Sequence, residues 1–423
     1  MKQKKTELIV IGSGPAGLAA GIKAKESGVN DVVIIERAER IGGLLHQCIH
    51  NGFGLHYFGK DLTGPEFIHY FIKKASDLKL EMNLNTMVTS LSHENEMQRV
   101  IAQNSQEGVI EFISKAIILS MGCRERTRGA IHIPGTRPAG IFTAGTAQRF
   151  INVEGFIVGK EILILGSGDI GMIMARRMTL EGAQVKAVVE ILPYCGGLVR
   201  NEIQCLRDFG IPLLLNHTVV EIHGRNRIEG VTIAKVDKDF QPIPGTFQQI
   251  KCDTLLLSVG LIPENELSRM AGIELDPISG GPVVDESMQT NIDGIFACGN
   301  VVHVHDLVDN VCLESEIAGI SAAKYVLERE KRIEIPSIKL IAGDNVRYVV
   351  PQKITKQKEV TLYLRVKKPD KNVILRVGDD VYEKKLFYVR PSEMIAVNFR
   401  LEHFMKLKNG TKELKVNVKN FTS

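Results

Sequence analysis

The chain has 423 residues, of which 44% are hydrophobic and 24% charged, so it has room for about two or three domains around a large buried core. No apolar run is long enough to span a bilayer, and the formal net charge is only +4. The seven cysteines are scattered without a CxxC pair, which argues against a disulfide scaffold or a zinc site and indicates a reducing, cytoplasmic compartment.

The first predicted elements are a strand, a glycine-rich turn, a helix and a second strand. The apolar run 8–11 leads into Gly12, Gly14 and Gly17, which are spaced as GxGxxG. Glu36 follows Gly12 by 24 positions, at the end of the next apolar run. In this pattern the first glycine permits a tight turn, the second lets a pyrophosphate approach the backbone, and the third brings helix and strand together. The free N–H groups at the helix start favour the phosphates, and we expect Glu36 to accept hydrogen bonds from an adenosine ribose.

A second copy of the pattern begins at residue 162. The apolar run 162–165 leads into Gly166, Gly168 and Gly171. Glu190 again follows the first glycine by 24 positions. A lone GxGxxG is a weak signal, but a preceding strand, a following helix and a carboxylate at a matched distance make each copy specific. The sequence therefore predicts two sites for cofactors that contain ADP.

The order of these patterns predicts an α/β fold with two Rossmann-like domains, the second inserted in the first. We assign 1–125 to the first part of the first domain, 126–158 to a connecting segment and 159–258 to the inserted domain. The first domain then resumes over 259–335, where a short apolar strand precedes a long predicted helix. Residues 336–423 form a small C-terminal all-β, sandwich-like domain of roughly six or seven antiparallel strands.

The C-terminal domain is the basic part of the chain. From Pro336 onwards there are 19 Lys and Arg against 9 Asp and Glu, whereas the preceding residues are acidic on balance. Such a surface fits an acidic protein partner or nucleic acid. Because aromatic residues are not interleaved with the basic ones, we expect no nucleic-acid binding. A solvated surface without a partner is the alternative.

Over residues 6–328 these motifs resemble the FAD- and pyridine-nucleotide-dependent disulfide oxidoreductases, and most nearly their thioredoxin-reductase-like branch. Besides the two fingerprints, the matching segments are 42–45, 119–122, 257–263 and 295–300. The resemblance implies FAD at the first fingerprint and NAD(P)H at the second, with the last segment holding the flavin ribityl chain. Asn300 stands where the family usually has Asp, and its amide can still hydrogen-bond a ribityl hydroxyl.

Glu190 favours NAD(H) over NADP(H), because a carboxylate suits a free 2′-hydroxyl and repels a 2′-phosphate. No arginine lies among residues 191–193 to bind that phosphate. The candidate cofactor contacts implied by the fingerprints and the resemblance are Gly12, Gly14, Pro15, Ala16, Gly17, Glu36, Arg37, Gly43, Leu44, Gly122, Gly166, Gly168, Asp169, Ile170, Gly171, Glu190, Gly260, Gly299, Asn300 and Asp309.

The redox centre of the disulfide reductases is incomplete in this chain. Those enzymes carry a CxxxxC after the Gly-Gly or a CxxC in the nicotinamide domain. Here Cys48 is the only cysteine shortly after Gly43. The cysteines of the inserted domain are too far apart in sequence to form such a motif. A dithiol relay needs two sulfurs that can pair, so we do not expect disulfide reduction.

Cys48 is the one candidate catalytic residue, and two interpretations of it stay open. As a thiolate it could exchange electrons with flavin or form a sulfenic acid. Alternatively it is a small apolar side chain packed at the flavin edge.

Two further stretches resemble flavoprotein subunits that accompany FAD-dependent dehydrogenases of opines, amino acids and glycerol 3-phosphate. They are residues 47–55 and 302–309. Some such subunits continue into a cysteine-rich iron–sulfur region, whereas this chain has no cysteine after Cys312.

Histidines and one aspartate near these stretches are candidate ligands or caps. His46, His50, His303 and His305 could suggest a metal, but the last two alternate on an extended segment with no carboxylate brought to them by spacing, so no metal is assigned. Asp309 is expected to cap a helix through 314–325. In the family the start of that helix faces the flavin edge where negative charge accumulates on reduction.

The sequence thus predicts an FAD-dependent oxidoreductase that exchanges hydride with NAD(H) and passes electrons to or from a partner protein, with a homo-oligomer also possible. One alternative is an NADH oxidase or peroxidase that uses Cys48. Another is a non-catalytic flavoprotein subunit whose C-terminal domain docks a partner.

Overall fold

The computed structural model describes the chain in four stretches, residues 2–328, 337–355, 358–408 and 410–421. The chain divides into two compact units. The first unit combines Met1–Cys123 with Pro263–Ser423, and the second unit is the continuous segment Arg124–Ile262. A unit that is discontinuous in sequence, interrupted by a continuous one, is the arrangement predicted for the two Rossmann-like domains.

The first unit is built around a parallel sheet of short strands, which are fully apolar except for the edge strand Glu81–Asn83. The residues of Leu8–Ile11 and Val32–Ile35 are all buried, as expected for strands covered on both faces. In spatial order the five strands are Ile295–Ala297, Ala116–Leu119, Leu8–Ile11, Val32–Ile35 and Glu81–Asn83.

Three helices longer than ten residues pack in this unit. Pro15–Glu26 begins at the fingerprint, with proline at its first position, where a missing N–H costs nothing. Gly64–Asp77 starts with a capping box between Thr63 and Glu66. Val308–Glu328 packs against Pro15–Glu26 so closely that a Cβ on Gly319 would overlap the Ala20 carbonyl. Among the described residues, no helix is both long and apolar enough to cross a membrane.

The remaining elements of this part are smaller. The short helical segments are Gly43–Gln47, Glu266–Met270 and Gly299–Val301. A four-stranded sheet has the order Lys2–Lys5, Gly108–Ser114, Met97–Asn104 and Thr86–Glu94, and a two-stranded sheet consists of Asn51–Phe53 and Leu62–Thr63.

The C-terminal region has two sheets that share an apolar core. One sheet has the order Lys353–Ile354, Ile338–Ala342, Glu413–Asn420, Asp370–Val377 and Tyr382–Val389, and the other Val346–Val350, Val360–Val366 and Ile395–Phe399. One short helix, Leu401–Phe404, lies near its end. The sandwich-like prediction is correct, but Ile338–Ala342 pairs in parallel with Glu413–Asn420, so the expected all-antiparallel pairing is wrong.

This C-terminal region packs into the first unit. Tyr348 and Val350 belong to the apolar core of the central sheet. Arg365 forms an ion pair with Asp306, in the segment before the long helix. The strands therefore help to build the first unit. The predicted boundary at Pro336 lies outside the described residues.

The second unit repeats the parallel sheet and adds an antiparallel one. The parallel strands are, in order, Ile141–Thr143, Thr254–Leu257, Glu161–Leu165, Gln184–Glu190 and Leu213–Leu215. Its helices are Arg128–Ile131, Ala144–Asn152, Asp169–Leu180, and Val199–Asn201 continuing into Glu202–Arg207. The antiparallel strands are His217–His223, Gly230–Lys235 and Gln248–Lys251, and one further pair joins Cys123–Glu125 to Leu261–Pro263.

Residues 126–158, expected to be a connecting segment, contribute regular structure to the second unit. Ile141–Thr143 is the edge strand of the parallel sheet and pairs with Thr254–Leu257. Ala144–Asn152 follows as a helix whose buried face joins that unit's core. A strand of three half-buried residues has too little alternation to be recognised from sequence.

Candidate cofactor sites

The first fingerprint leaves room for a ligand at only one of its three glycines. Gly12 has a positive φ of 101°, and a Cβ there would lie 2.6 Å from the carbonyl oxygen of Ser120. A Cβ on Gly17 would overlap the carbonyl oxygen of Gly12. A Cβ on Gly14, by contrast, would meet nothing within 4 Å. The open position is the second glycine, where a pyrophosphate must approach the backbone.

The second fingerprint has the same arrangement, but protein atoms lie closer to its second glycine. Gly166 also has a positive φ, 94°, and a Cβ on it would overlap the carbonyl oxygen of Ser258. A Cβ on Gly171 would lie 2.6 Å from Ser258 Cβ. At the second glycine, Gly168, the nearest atom would be Ser258 Oγ at 2.9 Å. In both units, therefore, a serine at the end of a neighbouring strand borders the turn.

The carboxylate of Glu36 is held by three protein donors. Its Oε2 accepts hydrogen bonds from Ser13 N at 2.9 Å and Ser13 Oγ at 2.6 Å, and its Oε1 from Ala38 N at 2.8 Å. The residue is only 9% exposed. Since a carboxylate has about four acceptor positions, one is left for a ribose hydroxyl.

Glu190 is held in the same way in the second unit. Its Oε2 accepts from Ser167 N at 2.8 Å and Ser167 Oγ at 2.7 Å, and its Oε1 from Leu192 N at 2.9 Å. Each carboxylate is thus oriented by the serine between the first two glycines and by the amide two residues further on.

Other predicted residues of the second unit lie around this turn. Asp169 begins the helix, and its Oδ1 accepts from Leu198 N at 2.8 Å and Asn201 Nδ2 at 2.6 Å. It therefore fixes the segment that follows the strand of Glu190. Ile170 is half-buried against the unit's core, and Gly260 has a positive φ just before the strand Leu261–Pro263.

The Gly-Gly turn of the first unit contacts the fingerprint directly. Gly42 N donates to Ser13 O at 2.9 Å, and a Cβ on Gly43 would lie 2.9 Å from Gly14 Cα. Leu44 is 59% exposed beside this turn. The sequence prediction that these segments share one site is thus supported by their contact.

The other predicted residues of the first unit take varied positions. Pro15 and Ala16 form the first turn of the fingerprint helix, Arg37 is exposed after Glu36, and Gly122 has a positive φ with open space at its Cα. A Cβ on Gly299 would lie 2.8 Å from Ala16 Cβ, and Asn300 Oδ1 accepts from His305 N at 3.0 Å.

Asp309 does not cap the long helix, contrary to expectation. The helix begins at Val308, so Asp309 lies inside its first turn. Its buried carboxylate accepts from Gly54 N at 3.1 Å, His56 N at 3.0 Å and Tyr57 N at 2.8 Å. The side chain binds a loop distant in sequence instead of the N–H groups of its own helix.

Cys48 is half-buried and forms no disulfide. Its Sγ lies 3.5 Å from the carbonyl oxygen of Leu44, and burial raises its pKa to about 12. All seven cysteines are free. A neutral thiol is the poorly nucleophilic form of cysteine.

In the structure His303 and His305 lie beside a carboxylate, that of Glu314. The sequence spacing did not predict this contact. His303 Nε2 lies 2.8 Å and His305 Nε2 3.3 Å from Glu314 Oε2, while Gly299 N donates to Glu314 Oε1 at 2.8 Å. Burial lowers the pKa of His303 to about 4. Although burial alone would raise the pKa of Glu314, the two histidines hold it well below its usual value. Sequence reasoning missed Glu314, because no local spacing template links a helix position to the preceding extended segment.

Comparison with known proteins places these sites in context. Residues 6–323 match the model of the pyridine nucleotide-disulphide oxidoreductase family. The chain is 26% identical over 290 residues to the HcnB subunit of hydrogen cyanide synthase from Pseudomonas protegens, covering 63% of this chain and 59% of that one. It is 23% identical over 309 residues to one of the subunits of opine oxidase from Agrobacterium tumefaciens, covering 70% and 61%. The matched part thus spans about three fifths of either relative.

A solved structure supports the fold. Thioredoxin reductase of T. acidophilum superposes with a TM-score of 0.63 at 22% identity, covering 76% of this chain and 98% of that one. This likeness confirms the predicted architecture of two Rossmann-like domains, with the C-terminal β-rich region following them.

Proposed function

The chain belongs to the pyridine nucleotide-disulphide oxidoreductase family, the FAD-binding oxidoreductases that use NAD(P), and we propose that it exchanges hydride between NAD(H) and FAD and passes electrons to or from a partner protein. The observation that carries the proposal is the pair of matched glycine and carboxylate cradles in a chain that has no CxxC or CxxxxC pair of cysteines. Two dinucleotide sites without a dithiol leave the flavin to deliver its electrons outside the chain.

The residues of the first unit fit FAD. Gly14 offers the open backbone position for the pyrophosphate, and Glu36 keeps one acceptor position for the adenosine ribose. Bound FAD would supply a two-electron hydride acceptor. The first turn of Val308–Glu328 presents helix N–H groups, which stabilise negative charge without a side-chain base. Assigning these residues, and Gly43, Gly299 and Asn300, to FAD is part of the proposal.

The second unit is proposed to bind NAD(H) in preference to NADP(H). Glu190 is buried and oriented by three donors, so its negative charge stays fixed beside the ribose position. A fixed carboxylate accepts hydrogen bonds from a ribose diol and repels a 2′-phosphate. We assign NAD(H) to this unit and FAD to the first on these grounds.

The partner is proposed to be a dehydrogenase of the amino-acid or glycerol-3-phosphate type. Both curated relatives are named as subunits, of hydrogen cyanide synthase and of opine oxidase. The basic C-terminal region is the candidate docking surface for that partner or for a second copy. A cytoplasmic location is also proposed, supported by the seven free cysteines.

The oxidase alternative depends on Cys48 acting as a thiolate, whereas burial raises its pKa to about 12. At neutral pH nearly all of this residue is thiol, and the thiolate is the nucleophile. The observation disfavours a peroxidase that uses this cysteine.

Anaerobic stopped-flow mixing of the FAD-loaded protein with NADH or NADPH tests the proposal. We expect NADH to bleach the flavin absorbance faster than NADPH, and the reduced protein to reoxidise slowly in air but rapidly with an artificial dye. Absence of bleaching would favour the non-catalytic docking subunit, and fast reoxidation by oxygen that Cys48→Ser abolishes would favour the oxidase. Purification of the untagged protein from its source would then identify a partner.

A further inference from the structure

The two histidines and the glutamate of the first unit form a buried cluster beside Gly299, a residue assigned above to the proposed FAD site. His303 and His305 lie on the extended segment after Gly299–Val301, and Glu314 comes from the long helix Val308–Glu328. One ligand atom from each residue lies within 4.8 Å of the others. The side chains of both histidines are fully buried, and that of Glu314 is 2% exposed.

This cluster concentrates unsatisfied polar atoms. Among the described residues, four buried side-chain nitrogen or oxygen atoms lack a hydrogen-bond partner, and three of them are His303 Nδ1, His305 Nδ1 and His305 Nε2. His305 Nε2 lies 3.3 Å from Glu314 Oε2, the same oxygen that His303 Nε2 contacts, but forms no hydrogen bond with it. A buried polar group without a partner costs free energy. One ion takes one nitrogen from each imidazole, so an ion here would satisfy at most two of these three atoms.

The surroundings orient the cluster. Gly299 N fixes the other oxygen of Glu314 at 2.8 Å, as an outer hydrogen bond fixes a ligating carboxylate. The ring of Tyr363 from the C-terminal region lies 5.8 Å from His303 and 5.4 Å from His305, centre to centre. Beside them Arg365 pairs with Asp306, so that the neighbouring cation is already neutralised.

A cavity borders the cluster on the side of Glu314. This cavity of about 360 Å³ in the first unit is lined by Glu314 and Tyr363 together with Glu286 and Lys358. Glu314 thus faces both the histidines and the cavity.

We propose that His303, His305 and Glu314 bind one divalent transition-metal ion, and Zn²⁺ is the probe for this site. Two imidazoles and one carboxylate are a ligand set of zinc and of non-haem iron, whereas Mg²⁺ and Ca²⁺ prefer oxygen ligands alone. The bound ion would tie the extended segment to the long helix beneath the C-terminal strands. The proposal does not depend on the proposed redox function.

The test uses the untagged full-length protein, stripped with a chelator and dialysed. We expect titration with zinc chloride to give one bound ion per chain, and Co²⁺ to give visible absorption bands typical of imidazole and carboxylate ligands. Zn²⁺ should also raise the melting temperature of the wild type, because a ligand that binds only the folded state stabilises it.

Variants locate the site. His305→Ala is the least disruptive change, since His305 makes no side-chain hydrogen bond in the structure. We expect this variant and Glu314→Gln to lose at least about tenfold in zinc affinity, consistent with the loss of one ligand. His69→Ala, at an exposed position of Gly64–Asp77, should bind like the wild type.

Two results would overturn the proposal. One is a wild-type protein that takes up no ion above the level of a buffer blank and shows no thermal shift with Zn²⁺. The other is unchanged zinc affinity in both ligand variants. If either variant unfolds, the wild-type stoichiometry, Co²⁺ spectrum and thermal shift still decide the question.

Discussion

The two glycine turns of this protein share their carboxylate cradle but differ in what surrounds it. In both units a serine between the first two glycines binds the glutamate through its amide and hydroxyl. In the first unit the second glycine faces open space and a Gly-Gly turn abuts it. In the second unit Ser258 Oγ lies close to the second glycine, and Asp169 fixes the adjoining segment. The proposed recognition of the ADP moiety is therefore local and duplicated, whereas the residues around each turn differ.

The largest effect on cofactor binding is expected when the third glycine of either turn is replaced by alanine. Gly17→Ala would overlap the Gly12 carbonyl, and Gly171→Ala would crowd Ser258 Cβ. Overpacking of this kind costs about 1–3 kcal/mol, which is about a 5- to 150-fold loss of binding if the whole cost weakens the cofactor site. We expect Gly17→Ala to lower FAD content, and Gly171→Ala to keep FAD but weaken NADH binding.

Flavin absorbance after denaturation and stopped-flow reduction measure these two effects. Gly14→Ala is the control for Gly17→Ala, because its added Cβ meets no protein atom. Gly14→Ala should keep the apoprotein's melting temperature while lowering FAD affinity. Full FAD occupancy in Gly17→Ala would contradict the assignment of FAD to the first turn.

Glu190→Gln tests whether this carboxylate sets the preference for NADH over NADPH. Loss of a charged hydrogen-bond acceptor costs about 1.5–3 kcal/mol, so NADH affinity should fall by about 10- to 100-fold while NADPH loses little. The measurement is the dissociation constant of each nucleotide from the concentration dependence of flavin reduction. An unchanged ratio of NADH to NADPH affinity would contradict the proposed role, and Glu36→Gln is the matched change that should leave that ratio alone.

We expect the histidine cluster to make the stability of the first unit depend on pH. A histidine in an unfolded chain has a pKa of about 6.5, whereas burial lowers the pKa of His303 to about 4. Between these values the unfolded chain binds a proton that the folded chain does not, so stability falls as the pH is lowered through this window. We expect the melting temperature in chelator to drop between pH 7 and pH 5, and less steeply in His303→Gln. An identical slope in His303→Gln and wild type would contradict this, and His69→Ala should follow the wild type.

The smallest effects are expected from the cysteines beside the two turns. Cys48 follows the Gly-Gly turn, and Cys195 Sγ lies 3.8 Å from the carbonyl oxygen of Ser167. Burial raises the pKa of both thiols. Cys48→Ser and Cys195→Ser should each keep NADH-to-dye electron transfer within about twofold, because neither is a thiolate near neutral pH. A large loss in Cys48→Ser alone, with FAD content intact, would restore the thiol mechanism.

The parts of the molecule that sequence could predict are those set by local pattern. Both turns, both carboxylates and the strands around them were predictable, because glycine spacing and apolar runs act over a few residues. The C-terminal strands were recognised for the same reason. The parallel pairing of Ile338–Ala342 with Glu413–Asn420 was not, since it joins segments more than seventy positions apart.

The failures at the site have a common cause. Asp309 looked like a helix cap from its neighbours, but its carboxylate accepts from a loop about 250 residues earlier in the chain. Glu314 was not recognised as the partner of His303 and His305, because a helix and an extended segment meet there by tertiary packing. Side chains whose partners are set by the fold carry no signature in sequence.

The discontinuity of the first unit has a consequence for synthesis on the ribosome. The strand Ala116–Leu119 must wait for Ile295–Ala297, and the helix Pro15–Glu26 for Val308–Glu328, while the whole second unit is being translated. At about 5–20 residues per second, these delays range from about ten seconds to about one minute. The N-terminal half therefore leaves the exit tunnel with apolar surfaces that only the later chain can cover. The continuous second unit can complete its own sheet first, so we expect nascent-chain binding by chaperones to concentrate on the earlier half.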